Sequence, residues 1–129
     1  MSDDAEIQKL IAEIRDRFPA AAHETDECLV ARGCELEDLP IYSSLWVEAF
    51  ADRTTDAVKK CDADVVVQHT NLIAKHFLAG GDEVRKLIDV SYAENLMWDA
   101  SEGEKLWAWP FIAGEIQRLY AAIWGVPGE

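Results

Sequence analysis

The chain has 129 residues, 50% of them hydrophobic and 29% charged, which suits a single globular domain large enough to bury a core and short for two. Twelve Lys and Arg against twenty-five Asp and Glu leave a net charge of −13. That excludes nucleic-acid binding through phosphates, which needs a basic surface, and disfavours adhesion to an anionic membrane.

The N-terminus, Met1-Ser2-Asp3-Asp4-Ala5-Glu6, has neither a basic region nor an apolar run, so no secretory signal is expected. No apolar stretch approaches the roughly 18 residues of a membrane span. The three cysteines, Cys28, Cys34 and Cys61, follow no framework of spacings and fit reduced thiols in a cytoplasmic protein.

Ile7, Leu10, Ile11, Ile14 and Phe18 recur at helical spacing, with Asp3 and Asp4 placed for a cap and a favourable dipole charge. Pro19 is expected to stop this first helix. A second helix is predicted from about Thr25 to Arg32, closed by Gly33, and Glu35 to Pro40 reads as a connector. A third runs from Ile41 to about Asp52 on a stripe of Leu45, Trp46, Ala49 and Phe50. Arg53 to Cys61 is polar and reads as a frayed end and loop.

Asp62 is placed to cap a fourth helix bearing Val65, Val66, His69, Leu72, Ile73, His76 and Phe77, ended by Gly80-Gly81. Asp82 opens a helix, continuous or kinked, to about Asp99, with Ser91 and Glu94 in capping-box spacing inside it. Ser101 and Glu104 repeat that spacing and predict a short turn reaching Trp107. Pro110 fits the first position of the last helix, whose buried face would be Ile112, Ile116, Leu119, Tyr120, Ile123 and Trp124, with Gly125 closing it. No segment alternates with period two. The class is therefore all-α: six or seven helices, residues 1–129, as a compact bundle or a short solenoid-like stack.

The acidity is uneven. Residues 1–64 hold sixteen acids against seven bases, and residues 65–129 nine against five. The densest stretch carries Glu24, Asp26, Glu27, Glu35, Glu37 and Asp38 against Arg32 alone. Such a face serves solubility, or it docks a basic protein by steering and by repelling wrong partners.

Catalytic and metal motifs are sparse. His69 and His76 are seven apart, about 10 Å along a helix, too far to chelate alone, and neither His-x-x-x-His nor Glu-x-x-His occurs. Their places beside the apolar stripe suit partly buried imidazoles. His23, Asp26, Cys28 and Cys34 match no zinc spacing, and Glu24, Asp26 and Glu27 would raise the Cys28 pKa, against a nucleophile. Phosphate-loop, dinucleotide and serine-hydrolase signatures are absent from the sequence, and no cofactor is expected. Of five tryptophans, Trp46 and Trp124 fall on helical stripes and read as core. Trp107 and Trp109 sit in a connector, where either one packs beneath the loop or both offer an aromatic anchor, with Met97 and Trp98 as neighbours.

Three segments carry a resemblance: Ile14-Arg15-Asp16-Arg17-Phe18-Pro19, Leu87-Ile88-Asp89-Val90-Ser91-Tyr92-Ala93-Glu94-Asn95-Leu96, and the tail Gly125-Val126-Pro127-Gly128. Together they resemble a family of small uncharacterised bacterial helical proteins with a Val-Ser-Phe/Tyr-x-Glu-x-Leu segment, which look like the immunity proteins encoded beside polymorphic or contact-dependent toxins. The resemblance implies an intracellular binder without catalytic residues. In the motif, Val90 and Leu96 are expected to pack, Tyr92 to be half-buried, and Ser91 with Glu94 to cap.

Taken together, these features give the expectation of a cytoplasmic, non-enzymatic binder of a basic toxin domain, such as a nuclease. Glu24, Asp26, Glu27, Glu35, Glu37 and Asp38 would steer it, and Trp107 and Trp109 would anchor it. The alternatives are a helical adaptor gripping a partner peptide or helix in an apolar groove, and a small metal-dependent helical enzyme using His69, His76 and nearby carboxylates. An exposed Trp patch would equally suit a homodimer seam.

Overall fold

The computed structural model describes residues 2–128, apart from the side chains of Ser2, Asp3 and Leu36. Seven α-helices follow in order: α1 (Ser2–Arg17), α2 (Pro19–Ala31), α3 (Ser43–Lys59), α4 (Ala63–Ala79), α5 (Asp82–Leu87), α6 (Glu102–Ala108) and α7 (Gly114–Trp124). A 3₁₀ segment, Leu36–Tyr42, joins α2 to α3, a π-helical turn, Ile88–Ala93, extends α5, and a second 3₁₀ turn, Trp109–Phe111, follows α6. Among the described residues there is no strand, and the helices pack as a compact bundle, in agreement with the all-α expectation and with its bundle form. Among the described residues no helix is long and apolar enough to cross a membrane.

The helix α3 is the axis of the bundle. It packs against α1, α2, α4, α6 and the π-helical turn, so it needs apolar or satisfied side chains on nearly every face. Its Phe50 is fully buried and sits among four rings: Phe18 at 6.3 Å, Trp46 at 6.1 Å, His69 at 4.7 Å and Tyr92 at 6.1 Å between centroids. The helix also runs on through residues 53–59, which the sequence reading assigned to a frayed end and loop. Thr54 and Thr55 suit the helix because their hydroxyls face inward and find partners. The Thr55 hydroxyl donates to the Ala51 carbonyl and accepts from the Met97 N–H, and Thr54 is hydrogen-bonded to His69 and Tyr92.

Other boundaries differ from the sequence reading for local reasons. Pro19 stops α1 and also opens α2 as its first residue, where its missing N–H is not needed. The helix α2 therefore begins six residues before Thr25. Pro110 lies in the 3₁₀ turn, and the last helix starts only at Gly114, after Ile112 has adopted extended backbone. Asp62 caps α4 through the Val65 N–H, and Ser101 with Glu104 forms a reciprocal capping box on α6, both as expected. Gly33 and Gly125 take φ values of +100° and +81° that favour glycine. Gly80 serves a different need: a Cβ there would come within 2.0 Å of Val84 Cγ1 and 2.7 Å of the His76 carbonyl, so glycine lets α4 and α5 meet.

The helix expected to reach about Asp99 runs on from α5 only to Ala93, and residues 94–99 are turns; it is widened at the π-helical turn, where Glu94 N–H reaches back to the Asp89 carbonyl. The widening turns Ser91, Tyr92 and Ala93 into the core. Tyr92 is thus fully buried rather than half-buried, Ser91 is interior rather than capping, and Val90 points outward with 50% of its surface exposed. Leu96 packs as expected.

Candidate functional site

Two features of the surface carry chemistry: an acidic face across α2 and α3, and a cavity beside it with a buried histidine. The face is built as follows. Glu24 and Glu27 are exposed on α2, and Glu35 and Glu37 are exposed in and just before the 3₁₀ segment, with Asp38 half-buried beside them. On α3, Arg53 lies between Glu24, at 3.8 Å, and Asp56, at 3.4 Å, which joins the α2 acids to those of α3. One turn earlier, Asp52 accepts the indole N–H of Trp98 at 3.3 Å. Asp99 follows, paired with Lys59 at 2.6 Å. A depression of about 180 Å³ is lined by Asp52, Arg53, Thr55, Asp56, Trp98 and Asp99. Burial pushes the Asp52 carboxyl above its ordinary value, and the Trp98 hydrogen bond opposes this.

Trp98 is 63% exposed, and the backbone before it explains why. Met97 is fully buried, holds a left-handed φ of +58°, and donates its N–H to Thr55 at 2.9 Å. A non-glycine residue in that region is strained, and the Thr55 hydrogen bond and the burial of the Met97 side chain hold it there. The turn this makes throws the next side chain outward.

Asp26 does not join the open face. Arg15 of α1 grips it with two 2.7 Å hydrogen bonds, and the Trp46 indole N–H adds a third at 2.8 Å. Burial pushes its carboxyl up, and the Arg15 and Trp46 hydrogen bonds outweigh this, leaving it below the ordinary carboxylate range. The guanidinium also lies 5.0 Å from the centre of the Trp46 ring. This is a clasp between α1, α2 and α3. Asp26→Ala strands the Arg15 charge and the Trp46 N–H, and we expect a loss of about 2 kcal/mol in unfolding free energy by chemical denaturation. Glu27→Ala, on the exposed side of the same helix, should stay within about 0.5 kcal/mol of wild type.

The tryptophans expected as anchors are both half-buried. Trp107 packs on Phe111 at 5.1 Å, and Trp109 meets Tyr120 edge-on at 5.8 Å while its carbonyl accepts from Gln117. Trp124, read from its stripe as core, is 57% exposed, its indole N–H held by the Glu94 carbonyl at 3.1 Å. The outward-facing pair is therefore Trp98 and Trp124.

The cavity beside the face holds about 340 Å³. Phe18, Pro19, Ala20, Ala21, Ala57 and Val65 supply its apolar wall, and Glu24, Arg53, Asp56, Lys60 and Asp62 its rim. His69 lines it while being only 3% exposed. On the inner side, His69 Nδ1 is 2.9 Å from Thr54 Oγ1, which is 2.9 Å from the Tyr92 hydroxyl. Tyr92 has no other hydrogen-bond partner among the described residues, so it donates to Thr54, and Thr54 donates to Nδ1. That assigns the ring proton of neutral His69 to Nε2. Burial holds the His69 pKa down to about 4, against a smaller opposing pull from Asp62. Burial likewise pushes the Tyr92 phenol up.

His76, one stripe along α4, is engaged elsewhere. Its Nε2 lies 2.7 Å from Glu13 of α1, which also takes Lys75 at 2.8 Å. The Lys75 and His76 hydrogen bonds hold Glu13 below its ordinary value. The two histidines thus serve separate partners, and among the described residues no three His, Cys, Asp or Glu side chains converge to hold a metal ion. Cys28 and Cys34 are half-buried free thiols and Cys61 is exposed. Sequence reasoning placed His69 beside the apolar stripe but missed the cavity, because Thr54 lies 15 residues from His69 and 38 from Tyr92, and the three come from three different elements.

Among curated proteins and among solved structures, no match is found. The model of the family described as Domain of unknown function (DUF7674) matches residues 11–125, from the middle of α1 to the end of α7, and the chain belongs to that family.

Proposed function

We propose that this protein is a non-catalytic binding module that docks a basic protein partner through the acidic face around Trp98. The observation that carries this reading is Trp98 itself: a large indole, 63% exposed, fixed by Asp52 in a depression whose other carboxylates are Asp56 and Asp99. A tryptophan anchored at the centre of a charged surround is the arrangement that concentrates binding energy at protein interfaces. The carboxylates Glu24, Glu27, Glu35 and Glu37 extend the field that draws a cationic partner and repels acidic ones. With the net charge of −13 and the resemblance to immunity proteins, the partner class is a basic toxin domain, and a nuclease, which must itself carry a phosphate-binding surface, fits best. The three free thiols suit a meeting in a reducing cytoplasm.

The test is capture from the native host at low salt by wild type and by Trp98→Ala, followed by association kinetics with the captured protein. A basic protein whose association slows steeply with ionic strength, and whose affinity drops about 30-fold, or about 2 kcal/mol, on Trp98→Ala supports the reading. Capture indifferent to both salt and Trp98→Ala overturns it.

A second reading, an adaptor gripping a partner helix, rests on Ile123 and Trp124, exposed at the end of α7. Binding through them would survive high salt and fall on Trp124→Ala.

A further inference from the structure

The end of helix α2 is closed by a hydrogen-bond pattern that fixes where two thiols stand. The Gly33 N–H donates to the Val30 carbonyl at 2.9 Å, and the Cys34 N–H donates to the Leu29 carbonyl at 3.1 Å. Gly33 holds a left-handed φ of +100°, and Arg32 is the C-terminal cap. In such a closure the glycine turns the chain back over the last turn of its own helix. The residue after the glycine then lays its side chain on the residues that open that turn. The returning residue is Cys34, and the residues it meets are Leu29 and Cys28.

Burial agrees with this placement. Leu29 is fully buried, and Cys28 and Cys34 are half-buried, both packed against the core to which Leu29 belongs. The two thiols therefore stand on the inner side of the closure while keeping an edge in solvent, open to a small reagent. A disulfide spans α-carbons roughly 6 Å apart. A chain that passes 3.1 Å from the Leu29 carbonyl returns within that reach of Cys28, the residue bonded to Leu29. Cys61 lies elsewhere. It is exposed and follows the far end of α3, a helix of 17 residues and so about 25 Å long, whose near end is joined to Cys34 through the 3₁₀ segment.

We propose that Cys28 and Cys34 are a redox modification site, closed to an intramolecular disulfide by a low-molecular-weight disulfide. One cysteine, as its thiolate, attacks a sulfur of the small disulfide, breaks that S–S bond and expels the first small thiolate. The second cysteine, as its thiolate, attacks the protein sulfur of the mixed disulfide and expels the second. The two protein thiols give up two protons and two electrons, and the small disulfide takes them up as two thiols. The new bond ties the start of the segment carrying Glu35 and Glu37 to α2. The site is independent of the docking reading, because the chemistry needs this chain alone.

The experiment equilibrates the reduced full chain with bis(2-hydroxyethyl) disulfide and its thiol, in native buffer and in concentrated urea. The reagent is neutral, so the acidic surface does not repel it. Free thiols are then blocked and the products mapped by mass spectrometry. Trypsin cuts after Arg32, between the two cysteines, so a Cys28–Cys34 bond appears as two peptides joined. The expected result is that joined pair as the main product, with Cys61 carrying only the mixed disulfide. The equilibrium constant for closure should be at least about tenfold larger in native buffer than in urea, since a short ring also closes in the unfolded chain and only the fold adds to it. Cys28→Ser should leave Cys34 as a mixed disulfide. Thiols that stay free, mixed disulfides on both Cys28 and Cys34, a bond from either to Cys61, or closure less than about tenfold more favourable in native buffer than in urea would overturn the proposal. The unaltered chain decides alone if the variant fails to fold.

Discussion

Phe50→Ala is expected to lower the unfolding free energy by about 4 kcal/mol, among the largest effects a single substitution can have here. The ring is fully buried and stands between Phe18, Trp46, His69 and Tyr92, which come from the α1–α2 junction, α3, α4 and the π-helical turn. Removing it takes away the apolar burial and leaves a cavity the surrounding helices cannot close, because α3 is held on so many sides. Against a total of roughly 5–15 kcal/mol for a domain, such a loss leaves the native state marginal. Urea denaturation monitored by circular dichroism measures it. A loss below about 1.5 kcal/mol, the range of volume-conserving swaps, would mean that Phe50 is not the centre of the packing. Phe50→Leu, which keeps most of the volume, should recover the greater part.

The second expected result is a fall in stability on acidification that traces to His69. Its pKa is about 4 in the folded chain, held down by burial, against an ordinary value near 6.5 once unfolded. Between those values the unfolded chain binds a proton that the folded chain refuses, so stability is complete above pH 6.5 and drains away as the pH drops toward 4. The gap is worth about 3 kcal/mol at most. The charged groups that line the cavity with His69 are Asp62, Glu24 and Asp56 against Arg53 and Lys60. Glu13 and Asp26, both held low, contribute an acid-side loss only below the ordinary carboxylate range. Denaturation midpoints from pH 7 to pH 4.5 should therefore decline in wild type and flatten in His69→Gln, whatever the starting stability of the variant. A His69→Gln slope equal to wild type would show that another group carries the proton.

Legibility in the sequence followed the range of the forces involved. The first helix, the Asp62 cap, the Ser101–Glu104 box and the closures at Gly33 and Gly125 are decided by residues a few positions apart, and each was readable. The second half of α3 was not, since Thr54 and Thr55 look like loop residues until His69, Tyr92 and Met97 arrive to satisfy them. Asp26 looked like one more surface acid because nothing nearby in sequence marks Arg15 and Trp46 as its partners. The tryptophans failed in the same way. A helical stripe told correctly that Trp46 is inside, but α7 runs past the edge of the core, so the same stripe places Trp124 outside. The connector holding Trp107 and Trp109 folds back on Phe111 and Tyr120, which half-buries both. Trp98 became visible as the leading surface aromatic only through the left-handed turn at Met97.

That turn also bears on how fast a complex would fall apart. The Met97 amide is locked into a buried hydroxyl from a neighbouring helix while the indole after it stands in water. Amide hydrogen exchange should accordingly be slow at Met97. The backbone carrying the indole is ordered before any partner arrives, so capture does not have to freeze a loose loop. A partner seated on such a preset anchor would be released slowly, and its lifetime rather than its encounter rate would respond to a change at the buried Thr55.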